Sequence, residues 1–390
     1  MNYQNKIIET KNVLLLIIGT LTMQQITLAT LTGPYAVGTT TYHLIDASRE
    51  ESRVKDVDHR HRELIVKVFY PTDTKQGHQA PYVSPALSKF IKTNPKKGWF
   101  YGSGYIGADT LSHSYSNAPI SKLQNKYPVA IFSPGFGVPV HTYTSILEEL
   151  ASHGYVVFGV NHTHTSDPID FPDGRITTLA PFDPVYDETA IRLEDLKLVL
   201  NEIEQLEKND LTGLFTHRLN LSAIGAMGHS LGAAAVLELG QKDSRVKAVI
   251  ALDGLFKPLL NPDEQIAPYE KPLMIMYNSQ HGTFSKDDTD TPAFDLSAVL
   301  SKMKEEVAKV RQNARNDMYE VQWKAHHMTF SDYFMLTSMA TDYEQEMNNL
   351  KIVKEFIVSF FDKYLKNINL NALLDGKILY NRATTISNVD

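Results

Sequence analysis

The chain has 390 residues, no cysteine, and 38 basic against 45 acidic residues, a formal charge of −7. The lack of cysteine excludes every thiol mechanism and every Cys-ligated zinc site, and the net negative charge gives no electrostatic reason to seek a nucleic-acid partner. At 43% hydrophobic and 21% charged the composition is that of an ordinary globular protein, large enough to fold without a metal or disulfide staple, and a small neutral or lipidic substrate remains open.

At the N-terminus, Lys6 and Lys11 precede an apolar run from Val13 to Ile18 that continues more weakly through Leu21, Met23 and Ile26 to Ala29. Basic, then apolar, then small is the order of a secretory leader, so residues 1–29 are expected to be a signal peptide, with cleavage after Ala29 and export to the periplasm or medium. Gly19, Thr20, Thr22, Gln24 and Gln25 interrupt the apolar stretch and disfavour a spanning helix. From residue 30 to 390 a single domain is expected.

Short apolar runs then alternate with long amphipathic stretches. Strands are predicted at Leu64 to Tyr70, Val129 to Ser133, Tyr155 to Val160, Ala223 to Met227, Val246 to Leu252, Leu273 to Tyr277 and Met318 to Trp323. Most are nearly continuous in apolar residues, as parallel strands covered on both faces should be. Helical stripes run through Leu196, Val199, Leu200, Ile203 and Leu206, through Leu296, Val299, Leu300, Met303, Val307 and Val310, and through Val353, Phe356, Ile357, Phe360, Phe361 and Tyr364. The alternation implies right-handed crossovers and one doubly wound, mostly parallel sheet with helices on both faces. Tyr82 to Gln124 and Thr163 to Asp187 do not fit this rhythm and read as excursions from the sheet, where specificity usually resides.

Gly228-His229-Ser230-Leu231-Gly232 is a G-x-S-x-G motif between a predicted strand and a predicted helix. That context marks a nucleophile elbow of an α/β-hydrolase, because the sharp turn needs glycines two before and two after a strained serine. Ala233, Ala234 and Ala235 let the helix pack close behind it. A serine hydroxyl needs a base, which imidazole supplies, and in this fold an acid and then a histidine follow the serine in the chain. Downstream of Ser230 the histidines are His281, His326 and His327. The adjacent pair follows the strand ending at Trp323, whereas His281 beside Gly282 reads as a surface loop. Asp253 ends the strand after the elbow and is the candidate acid, with an ordinary turn aspartate as the equally weighted alternative. The oxyanion of a tetrahedral intermediate would be held by the backbone N–H of Leu231 and by that of Phe136, in the loop Ser133-Pro134-Gly135-Phe136-Gly137.

These motifs resemble the plasma-type platelet-activating factor acetylhydrolases, also called lipoprotein-associated or group VII phospholipases A2, and their bacterial relatives. The resemblance runs from about Thr32 to about Phe361. It is carried by Thr32 to Gly38, by Tyr127 to Ser133 with Gly135-Phe136-Gly137, by Leu150 to Tyr155, by Gly228 to Gly232, by Ala251-Leu252-Asp253 with Pro258, and by His327 with Phe330, Ser331 and Asp332. It implies Ser230, Asp253 and His327 as the catalytic set, so His327 rather than His326. It further implies a phospholipid substrate with a short or oxidised sn-2 acyl chain and no cofactor. The chain departs from the family in having Pro134 before the oxyanion glycine, where histidine is common, and in the poorly matching Thr163 to Asp187. Polyester-cleaving and dienelactone hydrolase-like relatives share the elbow. The expected function is therefore a serine carboxylic ester hydrolase acting on such phospholipids. The alternatives are a broad short-chain or polyester esterase, and a non-catalytic binding protein on the same fold.

Other constellations weigh less. His162-Thr163-His164-Thr165-Ser166-Asp167 has a metal-like alternation, but the aspartate is one residue late. Asp58 to Glu63 and Asp287 to Asp290 read as solvated charge runs. Leu87, Phe90 and Ile91 beside Lys89 and Lys92, with Lys96 to Tyr101 following, suit either peripheral contact with a lipid interface or, more simply, a helix docked on the sheet with its lysines in solvent.

Overall fold

The computed structural model describes residues 28–54, 61–94, 107–181, 187–254, 268–278, 296–323, 326–336, 343–369, 372–376, 380 and 383–387. Most of the leader, Lys96 to Tyr101, Pro258, His281 and Asp287 to Asp290 lie outside these residues, as do Asp58, His59 and Arg60.

The seven predicted strands form as β2 (His61–Thr72), β5 (Tyr127–Ser133), β6 (Val156–His162), β9 (Leu219–His229), β10 (Val246–Leu252), β11 (Leu273–Asn278) and β12 (Met318–Trp323). Four more join them: β1 (Ala36–Glu50), β3 (Gln79–Pro81), β4 (Leu111–Ser116) and β13 (Ala383–Ser387). The sheet runs β13-β12-β11-β10-β9-β5-β6-β2-β1-β4-β3. Its centre, from β6 through β5, β9, β10 and β11 to β12, is parallel, while β2 joins β6 and β13 joins β12 in antiparallel fashion. β5 and β11 are buried along their whole length and β9 from Ala223 onward, which is why these stretches read as apolar runs.

Helices α1 (Pro85–Thr93), α2 (Thr144–Ser152), α3 (Glu188–Asn209), α4 (Leu231–Lys242), α5 (Leu296–Asn313), α6 (Tyr333–Leu336) and α7 (Tyr343–Leu365) cover the sheet. On one face, Leu147 and Leu150 of α2 join Phe356, Ile357, Phe360 and Phe361 of α7 against Ala130, Met227 and Ile250. On the other, Leu196, Val199 and Ile203 of α3 meet Val236 and Leu239 of α4, with Val307 and Val310 of α5, over Ile131, Ala226 and Val249. The stripes predicted on α3 and α7 are thus core-facing. The contact is close enough that glycine is required: a Cβ on Gly225 would stand 2.6 Å from the Phe361 ring.

Three findings refine the sequence reading. Part of the stretch read as an excursion, Leu111–Ser116, is a strand of the sheet, held beside β1 by two residue pairs. The segment after β6 does leave the sheet and carries the separate β7 (Ile169–Asp170) and β8 (Ile176–Thr177) hairpin. In α1, Leu87 and Ile91 are buried while Lys89 and Lys92 are exposed, the arrangement of a helix docked on the body with its cations in water.

Candidate active site

β9 ends at His229, and α4 begins at Leu231, so Ser230 alone makes the turn between them. It does so at φ 54° and ψ −122°, a left-handed conformation that a non-glycine residue adopts only under constraint from its surroundings. The constraint is visible. The Ser230 N–H donates to Leu252 O at 2.9 Å and its carbonyl accepts the Ala233 N–H at 3.0 Å. The flanking glycines are sterically obligatory, since a Cβ on Gly228 would lie 2.3 Å from Gly232 O and one on Gly232 would lie 2.1 Å from Ser133 O.

Asp253 follows β10 at φ 41°. Its N–H donates to Met276 O at 2.6 Å, and its Oδ1 accepts the Asn278 N–H at 2.9 Å. The buried carboxylate is thereby turned toward His327, whose Nδ1 stands 2.6 Å from Asp253 Oδ2. A carboxylate accepts, so Nδ1 carries the proton and the ring's Nε2 is the basic nitrogen. The neighbouring His326 is exposed, and its ring packs 5.4 Å from that of Phe334. The structure therefore brings together Asp253 and His327, not His326.

Two further groups tie this pair to the elbow. The His229 ring lies 4.5 Å from the His327 ring, and His229 Nε2 is 2.9 Å from the His327 carbonyl oxygen. That acceptor fixes Nε2 as protonated, leaving Nδ1 to accept the Tyr143 hydroxyl at 2.7 Å. Tyr143 Oη in turn accepts the Gly135 N–H at 3.2 Å. Burial, together with the nearby His327, holds the His229 imidazole well below the ordinary range, so it stays neutral. The loop carrying Phe136 stands against the elbow: a Cβ on Gly135 would sit 3.4 Å from both Ser230 Cβ and His229 Nδ1. Leu231 opens α4, where N–H groups lack intrahelical acceptors.

Behind the loop lies a second array. Ser133 Oγ is 2.9 Å from His162 Nε2, and His162 Nδ1 is 2.9 Å from Asp195 Oδ2, with all three buried. Arg62 reaches Asp195 with two bonds, at 2.6 and 3.1 Å. Burial alone would raise the Asp195 carboxyl, but the Arg62 charge and the hydrogen bonds from His162 and Arg62 outweigh it and hold the group well below the carboxylate range. Burial, aided by the Arg192 charge, brings His162 down to about 4. The histidine of the metal-like motif thus has both ring nitrogens engaged by protein groups. Among the described residues no three His, Asp or Glu side chains converge as metal ligands. A cavity of about 220 Å³ is lined by Glu51, His61, Glu63, His164, Phe171 and Arg175 and includes none of the predicted site residues.

Sequence reasoning missed Tyr143, Arg192, Ser133 and Asp195. Arg192 is fully buried on α3 and donates to the Pro134 carbonyl, to Gly135 O at 3.3 Å and to Thr165 O at 3.1 Å. The only available signal was an arginine and an aspartate three residues apart, beside the apolar stripe of a predicted helix.

The chain matches the family described as platelet-activating factor acetylhydrolase, isoform II, over residues 20–172 and 193–349. It belongs to that family. It is 27% identical over 241 residues to a probable 1-alkyl-2-acetylglycerophosphocholine esterase of Arthroderma benhamiae, a match covering 57% of each chain. It is 24% identical to the platelet-activating factor acetylhydrolase of Canis lupus familiaris, across 59% of this chain and 58% of the relative. The chain thus spans a little over half the length of these curated relatives. It is also 25% identical to cutinase 2 of Thermobifida cellulosilytica, across 39% of this chain and 46% of that one. Among solved structures, a ferulic acid esterase from Streptomyces cinnamoneus superposes with a TM-score of 0.66 at 26% identity, covering 87% of this chain and 93% of the esterase. The fold is that of the α/β-hydrolases.

Proposed function

We propose that the protein is a serine carboxylic ester hydrolase that works through an acyl-enzyme. Ser230 Oγ attacks the ester carbonyl as His327 Nε2 takes its proton. Asp253 holds the imidazole tautomer and stabilises the cation that forms. The Phe136 and Leu231 N–H groups receive the developing oxyanion. His327 then protonates the departing alcohol, and a water molecule, activated by the same imidazole, releases the acid and restores Ser230. No cofactor takes part. The observation that carries this reading is the 2.6 Å bond from His327 Nδ1 to Asp253, on a histidine whose ring lies 4.5 Å from that of His229, the residue before a serine at φ 54°.

The substrate that family membership favours is a glycerophospholipid bearing a short or oxidised sn-2 acyl chain, of the platelet-activating factor type. The likeness to a cutinase and to a ferulic acid esterase favours a second reading, a broad short-chain or polyester esterase. Turnover on esters graded from acetyl to long acyl, with and without a phosphocholine head group, separates the two. A steep loss with acyl length plus dependence on the head group supports the phospholipid reading, and indifference to the head group supports the broad esterase.

Export with cleavage after Ala29 belongs to the same proposal. Lys354 Nζ donates to Thr30 O at 3.1 Å, so the start of the mature chain would be tied to α7. Mass spectrometry of exported protein should find Thr30 at the N-terminus; a chain that retains Lys6 and Lys11 contradicts cleavage.

A further inference from the structure

Among the described residues, one polar side chain reaches both carbonyls flanking the oxyanion-loop glycine, and it belongs to none of the predicted roles. Arg192, fully buried, donates through Nη1 to the Pro134 carbonyl and through Nη2 to Gly135 O at 3.3 Å, while Nη2 also reaches Thr165 O and Thr165 Oγ1, each at 3.1 Å. Thr165 O in turn accepts the Gly137 N–H at 2.8 Å. Pro134 and Gly135 directly, and Gly137 through one carbonyl, are therefore tied to a single guanidinium. From the opposite side, the Gly135 N–H is held by Tyr143 Oη at 3.2 Å.

The consequence follows from peptide geometry. The Gly135–Phe136 bond is planar and trans, so its C=O and N–H point in opposite directions. Whatever grips the Gly135 carbonyl also sets where the Phe136 N–H is aimed. We propose that Arg192 is the positioning residue of the oxyanion hole: by gripping the Pro134 and Gly135 carbonyls it fixes the Gly135–Phe136 peptide plane and directs the Phe136 N–H to the place where the substrate oxygen becomes negative.

The choice of side chain fits this role. A planar fork can hold two carbonyls at once, which an ammonium cannot do in a fixed orientation. Burial brings the guanidinium down to about 10, against the pull of Glu188 and Asp195, so it remains a cation at neutral pH. A buried cation is costly to keep where a neutral donor would fill the same space. Here it polarises the peptide whose carbonyl it holds, and a hydrogen bond accepted at the C=O strengthens the N–H at the other end as a donor.

This inference rests on Ser230 as nucleophile and Phe136 as donor, and the experiment separates the two. Arg192→Lys, Arg192→Met and Tyr143→Phe are made in the full chain and assayed with p-nitrophenyl acetate and with its thiono analogue, whose sulfur is a poor hydrogen-bond acceptor. Turnover is expressed per Ser230 labelled by a fluorophosphonate at completion, so unfolded molecules do not count. Arg192→Met should lose about 100-fold in kcat and Arg192→Lys about 10-fold, approaching the loss of one oxyanion donor. KM should stay within about threefold, as expected when only a transition-state interaction is lost. The wild type's preference for the oxygen ester should shrink in the same order. Tyr143→Phe, which loosens the loop from its other side and leaves Arg192 in place, should lower that preference as well, and it decides the matter if the Arg192 variants do not fold. Folded Arg192 variants with wild-type kcat and wild-type preference overturn the inference, as does an effect on KM alone. If the wild type itself is neither labelled nor active on the ester, the serine-hydrolase reading fails instead.

Discussion

Two carboxylate–imidazole pairs border this sheet, one beside the end of β6 and one beyond the ends of β10 and β12, with the carboxylate on the imidazole Nδ1 in both. In one, Asp253 holds His327 Nδ1 at 2.6 Å; in the other, Asp195 holds His162 Nδ1 at 2.9 Å, with Ser133 Oγ on the far nitrogen. What differs is water. The His327 side chain is 28% exposed and that of His162 is 0% exposed. An imidazole at the rim can pass a proton to substrate or solvent, whereas one sealed beneath the loop is held neutral and can only orient its neighbours. A row of aspartate, histidine and serine is therefore not a catalytic site by composition alone; it also needs access to substrate and a presented nucleophile. In this chain the buried row sits directly before the loop that packs against the elbow, Ser133 being the residue ahead of Pro134.

If the contrast is correct, changes to the two histidines should damage different properties. The largest effect is expected from His327→Ala or Asp253→Asn, each lowering turnover about 10⁴-fold with little change in melting temperature; comparable losses from His326→Ala, expected to stay near wild type, would mean that the wrong imidazole has been assigned. His162→Ala should do the reverse. It removes the partner of Ser133 and one of the donors to Asp195, which keeps Arg62, and should cost about 3 kcal/mol in stability by denaturant unfolding, while turnover per folded molecule falls far less than in His327→Ala.

The pH dependence gives a finer separation. Because the folded His162 titrates at about 4 and an unfolded histidine near 6.5, the unfolded chain takes up a proton over this interval that the folded chain refuses. The stability from the neutral His162 is thus fully present above about pH 6.5 and is lost as the pH falls toward 4, by about 3 kcal/mol. Compared with His162→Gln, which carries no such proton, the wild type's advantage should shrink by that amount between pH 7 and pH 4; an advantage independent of pH would show that His162 is not sealed. The smallest effect is expected from Ser133→Ala, about 1 kcal/mol, since only one neutral hydrogen bond is lost.

How much of this was legible in the sequence depended on how local each feature is. The elbow was readable because its requirements sit within five residues: glycine at 228 and 232, where any Cβ would collide with backbone, and small residues behind. The central strands were readable because burial on both faces leaves most of their positions apolar. β1 was not, since it lies toward the sheet margin and its second half alternates exposed and half-buried residues. β13 is short and borders only β12. Asp253 could not be told from a turn aspartate because its orientation depends on a hydrogen bond from Asn278, 25 positions away. Arg192 and Asp195 were invisible for a related reason. On α3 they flank an apolar stripe as surface charges do, and only the packing of Arg62 and the oxyanion loop against that helix turns them inward.

Covalent labelling tests Ser230 as the nucleophile most directly. Incubated with a fluorophosphonate and digested, the wild-type chain should carry one adduct, on the peptide containing Ser230, in step with loss of esterase activity, and folded Ser230→Ala should carry none. An adduct that persists in folded Ser230→Ala, or that maps to another residue, would contradict the assignment.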